Sequence, residues 1–413
     1  MTIKRFAAAT FGTLLLLSGS GVAGATEPGR VGTWAAAPSA TPESNTPTVA
    51  DATVRQVVHT SIGGGDLRIR LTNEFGRTPL RIGAVHVARR AGTGTDIDPA
   101  TDRAVRFSGS ESATAPPGAP LVSDPVPLSI DARDDLVVSI HLPGPTPITS
   151  LHDSALQENA VADGNVVAAP SVVPVARPTS WYLLSGVSVR PTGRAASVVA
   201  FGDSITDGAS TQVNANHRWP DLLAERLRRT GVLNAGIGGN RLLHDPNPPA
   251  GNEAEEYAAF FGEAGLRRFD RDVLAQPGVR DVIVLLGVND LGHPGTIAPP
   301  SETVTAQQLI DGHRQLIARA HAAGIRIHGG TILPFKGDGL GFYTPENEAK
   351  RQAVNDWIRT GGEYDSVVDF DAATRDPADP QRLRPEFDGG DGLHPNDAGA
   401  VAMAAAVPAR VLE

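Results

Sequence analysis

Four short polar clusters hold residue types that together are equipped to cleave an ester. The first is Gly202-Asp203-Ser204-Ile205-Thr206-Asp207-Gly208. A serine hydroxyl is a weak nucleophile unless a base takes its proton during attack. The second cluster, Asp391-Gly392-Leu393-His394-Pro395-Asn396, supplies such a base. Imidazole takes a proton near neutral pH and returns it to the leaving group, and a carboxylate fixes its tautomer. Asp391, three residues before His394 on a loop, can fold back on the ring. The third and fourth clusters are Asn234-Ala235-Gly236-Ile237-Gly238-Gly239-Asn240 and Gly287-Val288-Asn289-Asp290. A Gly N–H, an Asn side-chain N–H and the N–H of Ser204 are the donors that a carbonyl turning into an oxyanion requires. Each cluster also has a bland reading: Ser204 as a helix cap, Asp391 in a surface Asx turn, Asn-Ala-Gly as a turn and Asn-Asp as a cap. The order of residues around Ser204 is not the G-x-S-x-G elbow, because Thr206 stands where that motif needs Gly.

The elements around the clusters decide between these readings. From Ala196 onward, nearly continuous apolar runs alternate with helical spacing. Ala196–Phe201, Val232–Ala235, Val282–Leu286, Ile325–Ile332 and Val367–Phe370 read as strands buried on both faces. Between them come helical patterns: Trp219–Leu227, ended near Gly231; about Ala254–Leu274; a helix capped by Thr305; one opened by Thr344-Pro345; and an Ala-rich helix capped by Asn396 or Asp397. Strand and helix in alternation mean a parallel sheet flanked by helices, with chemistry at the carboxyl ends of the strands. All four clusters fall there.

The preceding segment has a different texture. Leu67, Ile69 and Leu71 alternate with Arg68, Arg70 and Thr72. Val54–Ile62, Leu80–Ala88, Val105–Phe107 and Leu136–Leu142 continue a series of short strands among Gly, Pro and Asp clusters. This reads as an all-β sandwich, jelly-roll-like, over residues 26–193, with an α/β domain over 194–413. Residues 1–25 read as a Sec-type signal peptide: Lys4 and Arg5, an apolar stretch from Phe6 to Leu17, and Ala23-Gly24-Ala25 as a cleavage site. The expected location is therefore extracellular. The apolar run is shorter than the roughly 20 residues a membrane span needs.

Removing that segment takes away two positive charges and moves the formal net charge from −10 to −12. An acidic surface is not attracted to nucleic acid or anionic lipid, so no nucleic-acid partner is expected. The chain has no cysteine, which excludes a thiol nucleophile and a cysteine-based zinc site. Its 11 histidines show no ligand spacing: His313 and His321 share a predicted helix but are not four apart. No metal and no cofactor are expected. Asp207 reads as a cap or an orienting residue of the loop after Ser204.

The four clusters, in this order and each at a strand end, resemble the GDSL/SGNH hydrolase family over about Ala195–Glu413. The resemblance implies a three-layer α/β/α fold with Ser204, Asp391 and His394 as catalytic triad. It also implies an oxyanion hole from the N–H of Ser204, Gly239 and Asn289. Gly236, Gly238 and Gly239 compete for the glycine position; the family's spacing from the Asn that ends the strand selects Gly239. The whole chain is similar to secreted actinobacterial members with a β-rich N-terminal domain. The implied activity is hydrolysis of a small-molecule or polysaccharide ester through an acyl-enzyme, with acetyl on carbohydrate foremost. Lysophospholipid or aryl ester hydrolysis are the alternatives. From a different class comes a carbohydrate-binding protein with secondary hydrolase activity, in which Trp34, Trp181 and Tyr182 would stack on sugars.

Overall fold

The structure, a computed structural model, describes residues 29–412; the expected signal segment lies outside the described residues. Up to Arg190 the strands are antiparallel. One sheet has four strands in the order Val31–Ala35, Leu184–Arg190, Gly65–Asn73, Ala119–Val122. A second has five, in the order Ala160–Asp163, Ala52–His59, Asp135–Leu142, Ala84–Arg89, Arg103–Val105, and smaller two- and three-stranded sheets accompany them. Alternation sends Leu67, Ile69 and Leu71 of the first sheet and Val85, Val87, Leu136, Val138 and Ile140 of the second into one shared core.

The expected single strand over Leu80–Ala88 is in fact two. Leu80–Ile82 pairs with Ala113–Ala115, whereas Ala84–Arg89 joins Asp135–Leu142. The chain breaks at Gly83, where a Cβ would stand 2.4 Å from Nδ1 of His141. The sugar-stacking role considered for the tryptophans also fails. Trp34 and Trp181 are buried edge to face, 5.0 Å between ring centroids, and Trp181 Nε1 donates to the Val57 carbonyl at 2.9 Å.

Beyond Arg190 the chain forms one parallel sheet of β1 (Ala196–Gly202), β2 (Thr230–Gly236), β3 (Val279–Leu285), β4 (Arg326–Gly330) and β5 (Ser366–Val368), in the order β2-β1-β3-β4-β5. The sequence direction reverses between β1 and β3, which opens a crevice at their carboxyl ends. The helices are α1 (Ser204–Asp207), α2 (Trp219–Ala224), α3 (Gly265–Phe269), α4 (Val288–Gly292), α5 (Ala306–Ala322), α6 (Pro345–Thr360), α7 (Phe370–Thr374) and α8 (Asp397–Ala406). Thr305 forms a full capping box with Gln308 before α5, Thr344 caps α6 ahead of Pro345, and Asn396 caps α8.

Three expectations are corrected. The helix over Ala254–Leu274 is broken into 3-10 turns at Glu253–Glu256 and Ala258–Phe261, stopped by Gly262 at φ 67°, then α3 running into a π turn, Asp270–Leu274. The last strand stops at Val368 because Asp369 accepts the Ala372 N–H and starts α7. Gly231 ends no helix; it lies inside β2, where a Cβ would meet the Gly32 carbonyl oxygen at 2.1 Å. Gly32 and Gly231 thus let two backbones touch where the antiparallel region crosses the parallel sheet. Gly32 N donates to Pro277 O at 2.9 Å and Val232 N donates to Ser61 Oγ at 2.9 Å, so hydrogen bonds join the two regions.

Candidate active site

Ser204 is the first residue of α1, immediately after β1 and the Gly202-Asp203 turn. Asp203, not Ser204, caps that helix by accepting the Ile205 N–H at 3.0 Å, which leaves the Ser204 hydroxyl available. Ser204 Oγ lies 2.8 Å from His394 Nε2, and His394 Nδ1 lies 2.6 Å from Asp391 Oδ2. An ionised carboxylate only accepts, so Nδ1 carries the proton and Nε2 accepts from the serine. The other Asp391 oxygen accepts the N–H of Leu393 and of His394, at 2.9 and 2.8 Å. Burial alone would raise the Asp391 pKa; the imidazole and the two N–H groups outweigh it and hold the carboxyl far below its usual range. Gly392, at φ 72°, lets the loop turn back so that Asp391 meets His394.

The three glycines of the loop after β2 differ in what their N–H groups do. Gly236 N donates to Asn234 Oδ1 at 2.8 Å, and Gly238 N donates to Asp207 Oδ2 at 3.2 Å. Among the hydrogen bonds of the described residues, none engages the Gly239 N–H. Gly239 sits at φ 71°, and a Cβ there would enter the Phe261 ring at 2.3 Å, so glycine is required twice over. Asn289, in α4 beyond β3, donates from Nδ2 to the Asn240 carbonyl at 3.0 Å, which ties it to the residue after Gly239 and leaves its second N–H. The N–H of Ser204 is at the first helical position, where no carbonyl of its own helix can accept it. Ser204, Gly239 and Asn289 thus follow the ends of three neighbouring strands, and the hydrogen bonds of the described residues leave each with an N–H to spare, as the donors for an oxyanion must have.

Several buried groups that hold these loops have no local signature in the sequence. Arg268, in α3, is fully buried and donates to Gly202 O at 2.7 Å, Ala235 O at 2.8 Å and Asn240 Oδ1 at 2.9 Å. It therefore clasps the ends of β1 and β2 that carry Ser204 and Gly239. Burial lowers its pKa to about 10 against the pull of Asp272. Asp290 is buried and accepts the N–H of Leu242 and Leu243 at 2.7 and 2.9 Å, joining the loop after β3 to the loop after β2; burial pushes its pKa up to about 6. His293, one turn after Asn289, is packed between Phe261 and Phe342, and burial lowers its pKa to about 3, so it is neutral. The Asp207 carboxylate, expected to orient the loop after Ser204, holds other segments instead: Oδ1 meets Nε2 of His152 at 2.9 Å, outside the parallel sheet, and Oδ2 accepts the Gly238 N–H.

Of the other residues weighed near this site, Trp219 is core, packed against Phe370, and His217 pairs with Asp397. His313 is buried against the Tyr364 hydroxyl, and His321 pairs with Asp365 on the surface. Among the described residues no group of three or more His, Asp or Glu side chains is placed to hold a metal ion. No helix among them is long and apolar enough to cross a membrane.

A parallel sheet carrying a serine, a histidine and a carboxylate in hydrogen-bonded line at its carboxyl edge has the arrangement of a serine hydrolase. Residues 200–402 match the GDSL-like lipase/acylhydrolase family, and this C-terminal region belongs to that family of carboxylic ester hydrolases. Among solved structures the chain is similar to a family two carbohydrate esterase from Cellvibrio japonicus, at 10% identity and TM-score 0.38, covering 94% of this chain and 96% of that one. It is also similar to an aryl esterase from M. smegmatis, at 17% identity and TM-score 0.40, over 53% of this chain and 100% of that one. A carbohydrate acetylesterase from Sinorhizobium meliloti matches at 15% identity and TM-score 0.38, over 52% of this chain and 98% of that one. A comparison with curated proteins finds no match.

Proposed function

We propose that this chain is an exported serine esterase that removes short acyl groups, acetyl foremost, from carbohydrate. The observation that carries the mechanism is the line Ser204 Oγ, His394 Nε2, His394 Nδ1, Asp391 Oδ2, with its separations of 2.8 and 2.6 Å. Ser204 Oγ bonds to the ester carbonyl carbon while its proton passes to His394 Nε2. The carbonyl oxygen becomes an oxyanion facing the N–H groups of Ser204, Gly239 and Asn289. The bond to the alcohol breaks as His394 returns the proton to the departing oxygen, leaving an acyl-Ser204. His394 then deprotonates a water that attacks the acyl carbon, and the bond to Oγ breaks to release the acid. Asp391 holds the imidazole and balances its positive charge throughout.

The substrate reading is supported by polar side chains that line a cavity with Gly238 of the glycine-rich loop, Asp153 and Ser154, which suit a hydroxylated alcohol better than an alkyl chain. The signal-peptide pattern read in residues 1–25 of the sequence supports export. Acid release from acetylated xylo-oligosaccharides, set beside hydrolysis of p-nitrophenyl esters of increasing chain length, tests the reading. Preference for the acetylated sugar supports it; preference for long acyl chains overturns it. A second reading, aryl ester hydrolysis, is favoured by the aromatic run Tyr257, Phe261, His293 and Phe342 that flanks Gly239. The same assay separates the two.

A further inference from the structure

A cavity of about 130 Å³ lies at the junction of the antiparallel region and the parallel sheet, lined by residues of both. Ser39, Asp153 and Ser154 come from the first, and Gly238, Tyr257 and Phe261 are among those from the second. Its floor is the buried His152–Asp207 pair, whose Asp207 also accepts the Gly238 N–H. The cavity is thus lined by Gly238, the residue before Gly239, and by Phe261, against which Gly239 packs, and the antiparallel region shapes it directly.

Asp153 is the unusual member. Its carboxylate is half-buried, and among the described residues it makes no ion pair; its one hydrogen bond is long, 3.5 Å from Ser180 Oγ. Burial pushes its pKa up, the Asp207 charge adds to this, and His152 only partly opposes it. A carboxylate desolvated to this degree without a close donor is costly unless a ligand supplies one. Across the cavity, Tyr257, Phe260 and Phe261 present aromatic surface. A carboxylate acceptor and the exposed Ser154, in one cavity with aromatic rings, suit a ring that carries hydroxyl donors on its rim and C–H groups on its face. They do not suit an alkyl chain, which would strip water from Asp153 and return nothing.

We infer that this junction cavity is the subsite for the alcohol part of the ester, taking a sugar ring with Asp153 as hydroxyl acceptor and the Tyr257–Phe261 wall as its stacking face. The inference rests on the carbohydrate-ester reading above and deepens it: the antiparallel region is a wall of the substrate site. It also explains why a region with its own core is joined to the parallel sheet by hydrogen bonds at Gly32, Ser61 and His152.

The test compares the full chain with Asp153→Ala and Asp153→Asn on acetylated xylo-oligosaccharide and on p-nitrophenyl acetate. Loss of a charge-assisted hydrogen bond should lower kcat/KM for the sugar ester, relative to that for p-nitrophenyl acetate, by about tenfold to a hundredfold in Asp153→Ala. The Asn variant, which keeps an acceptor, should lie between Ala and wild type. Equal loss on both substrates, or no loss on either, overturns the subsite. If the wild type turns over p-nitrophenyl acetate but not the acetylated sugar, the substrate reading fails separately. The subsite is then judged by competition: methyl xyloside should inhibit wild-type p-nitrophenyl acetate hydrolysis and inhibit Asp153→Ala far less, and absence of that difference overturns it.

Discussion

His152 Nε2 lies 2.9 Å from Asp207 Oδ1, so a histidine of the antiparallel region is bonded to a carboxylate three residues after Ser204. The two residues are 55 apart in sequence, both are buried, and the other histidine nitrogen meets the Ala37 carbonyl at 2.9 Å. The second Asp207 oxygen accepts from Gly238, the neighbour of Gly239, so this pair reaches the glycine-rich loop after β2. The antiparallel region is in this way hydrogen-bonded to the helix that Ser204 opens.

The pair makes stability depend on pH in a definite direction. Burial opposes charge on His152, but Asp207 and the Ala37 carbonyl outweigh it and raise its pKa above the ordinary 6.5. A raised folded-state value means that the native protein binds the proton more tightly than the unfolded chain. The contribution is full below pH 6.5 and is lost as pH rises through the folded value. Removing the ring in His152→Ala leaves a buried carboxylate without its ion partner and should cost about 3 kcal/mol at pH 6. Thermal unfolding from pH 6 to 9 checks this: the gap between wild type and variant should narrow as pH rises.

Asp203 gives a second slope in a lower window. Burial pushes its carboxyl from 3.8 up to about 7, against the Ile205 N–H and His394. The folded protein therefore keeps a proton that the unfolded chain has released, and this group makes stability fall between pH 4 and 7. Asp203→Asn retains a capping oxygen for Ile205 and has no proton to lose. Its unfolding free energy should gain on the wild type by about 1 kcal/mol or more across that window. Denaturant titrations at pH 4 and pH 7 measure the difference.

Arg268 should be needed both for folding and for catalysis. Arg268→Met removes donors from Gly202 O, Ala235 O and Asn240 Oδ1, and leaves buried Asp272 to Arg271 alone. The expected cost is about 3–5 kcal/mol of stability, read from the denaturation midpoint. In the fraction that remains folded, kcat should fall more than KM rises, because the loops of Ser204 and Gly239 lose their common anchor.

Asn289→Ala tests the oxyanion donors. The variant should lose about 10²–10³ in kcat with little change in KM, since the interaction forms only as charge develops. Steady-state kinetics on p-nitrophenyl acetate separates the two parameters.

The part of the site that was legible in the sequence is the part whose signal is local. Gly-Asp-Ser after a buried strand, Asp-x-x-His on a loop and Gly-Val-Asn-Asp after another strand each carry residue type and position within a few residues. Topology then converges them, because all lie at the carboxyl edge of one parallel sheet. Arg268 was not legible: it is one arginine in a broken helical stretch, and its partners are main-chain carbonyls of β1 and β2. His152 likewise sits in a short strand, Ser150–His152, with nothing nearby to mark its link to Asp207. The helix misread over residues 254–274 has a simple cause. Helical spacing continues through it, but Gly262 adopts a left-handed conformation that ends the turn before it. Gly231 looked like a helix stop because glycine's usual role there is conformational; here it makes room for the Gly32 carbonyl.

Hydrolysis of p-nitrophenyl acetate by Ser204→Ala, beside the wild type at equal concentration of folded protein, tests the central claim most directly. With Ser204 as nucleophile, the variant should lose most of the rate, on the order of 10⁶-fold by comparison with other serine hydrolases. A variant that keeps activity within about tenfold of wild type would contradict an acyl-Ser204 intermediate.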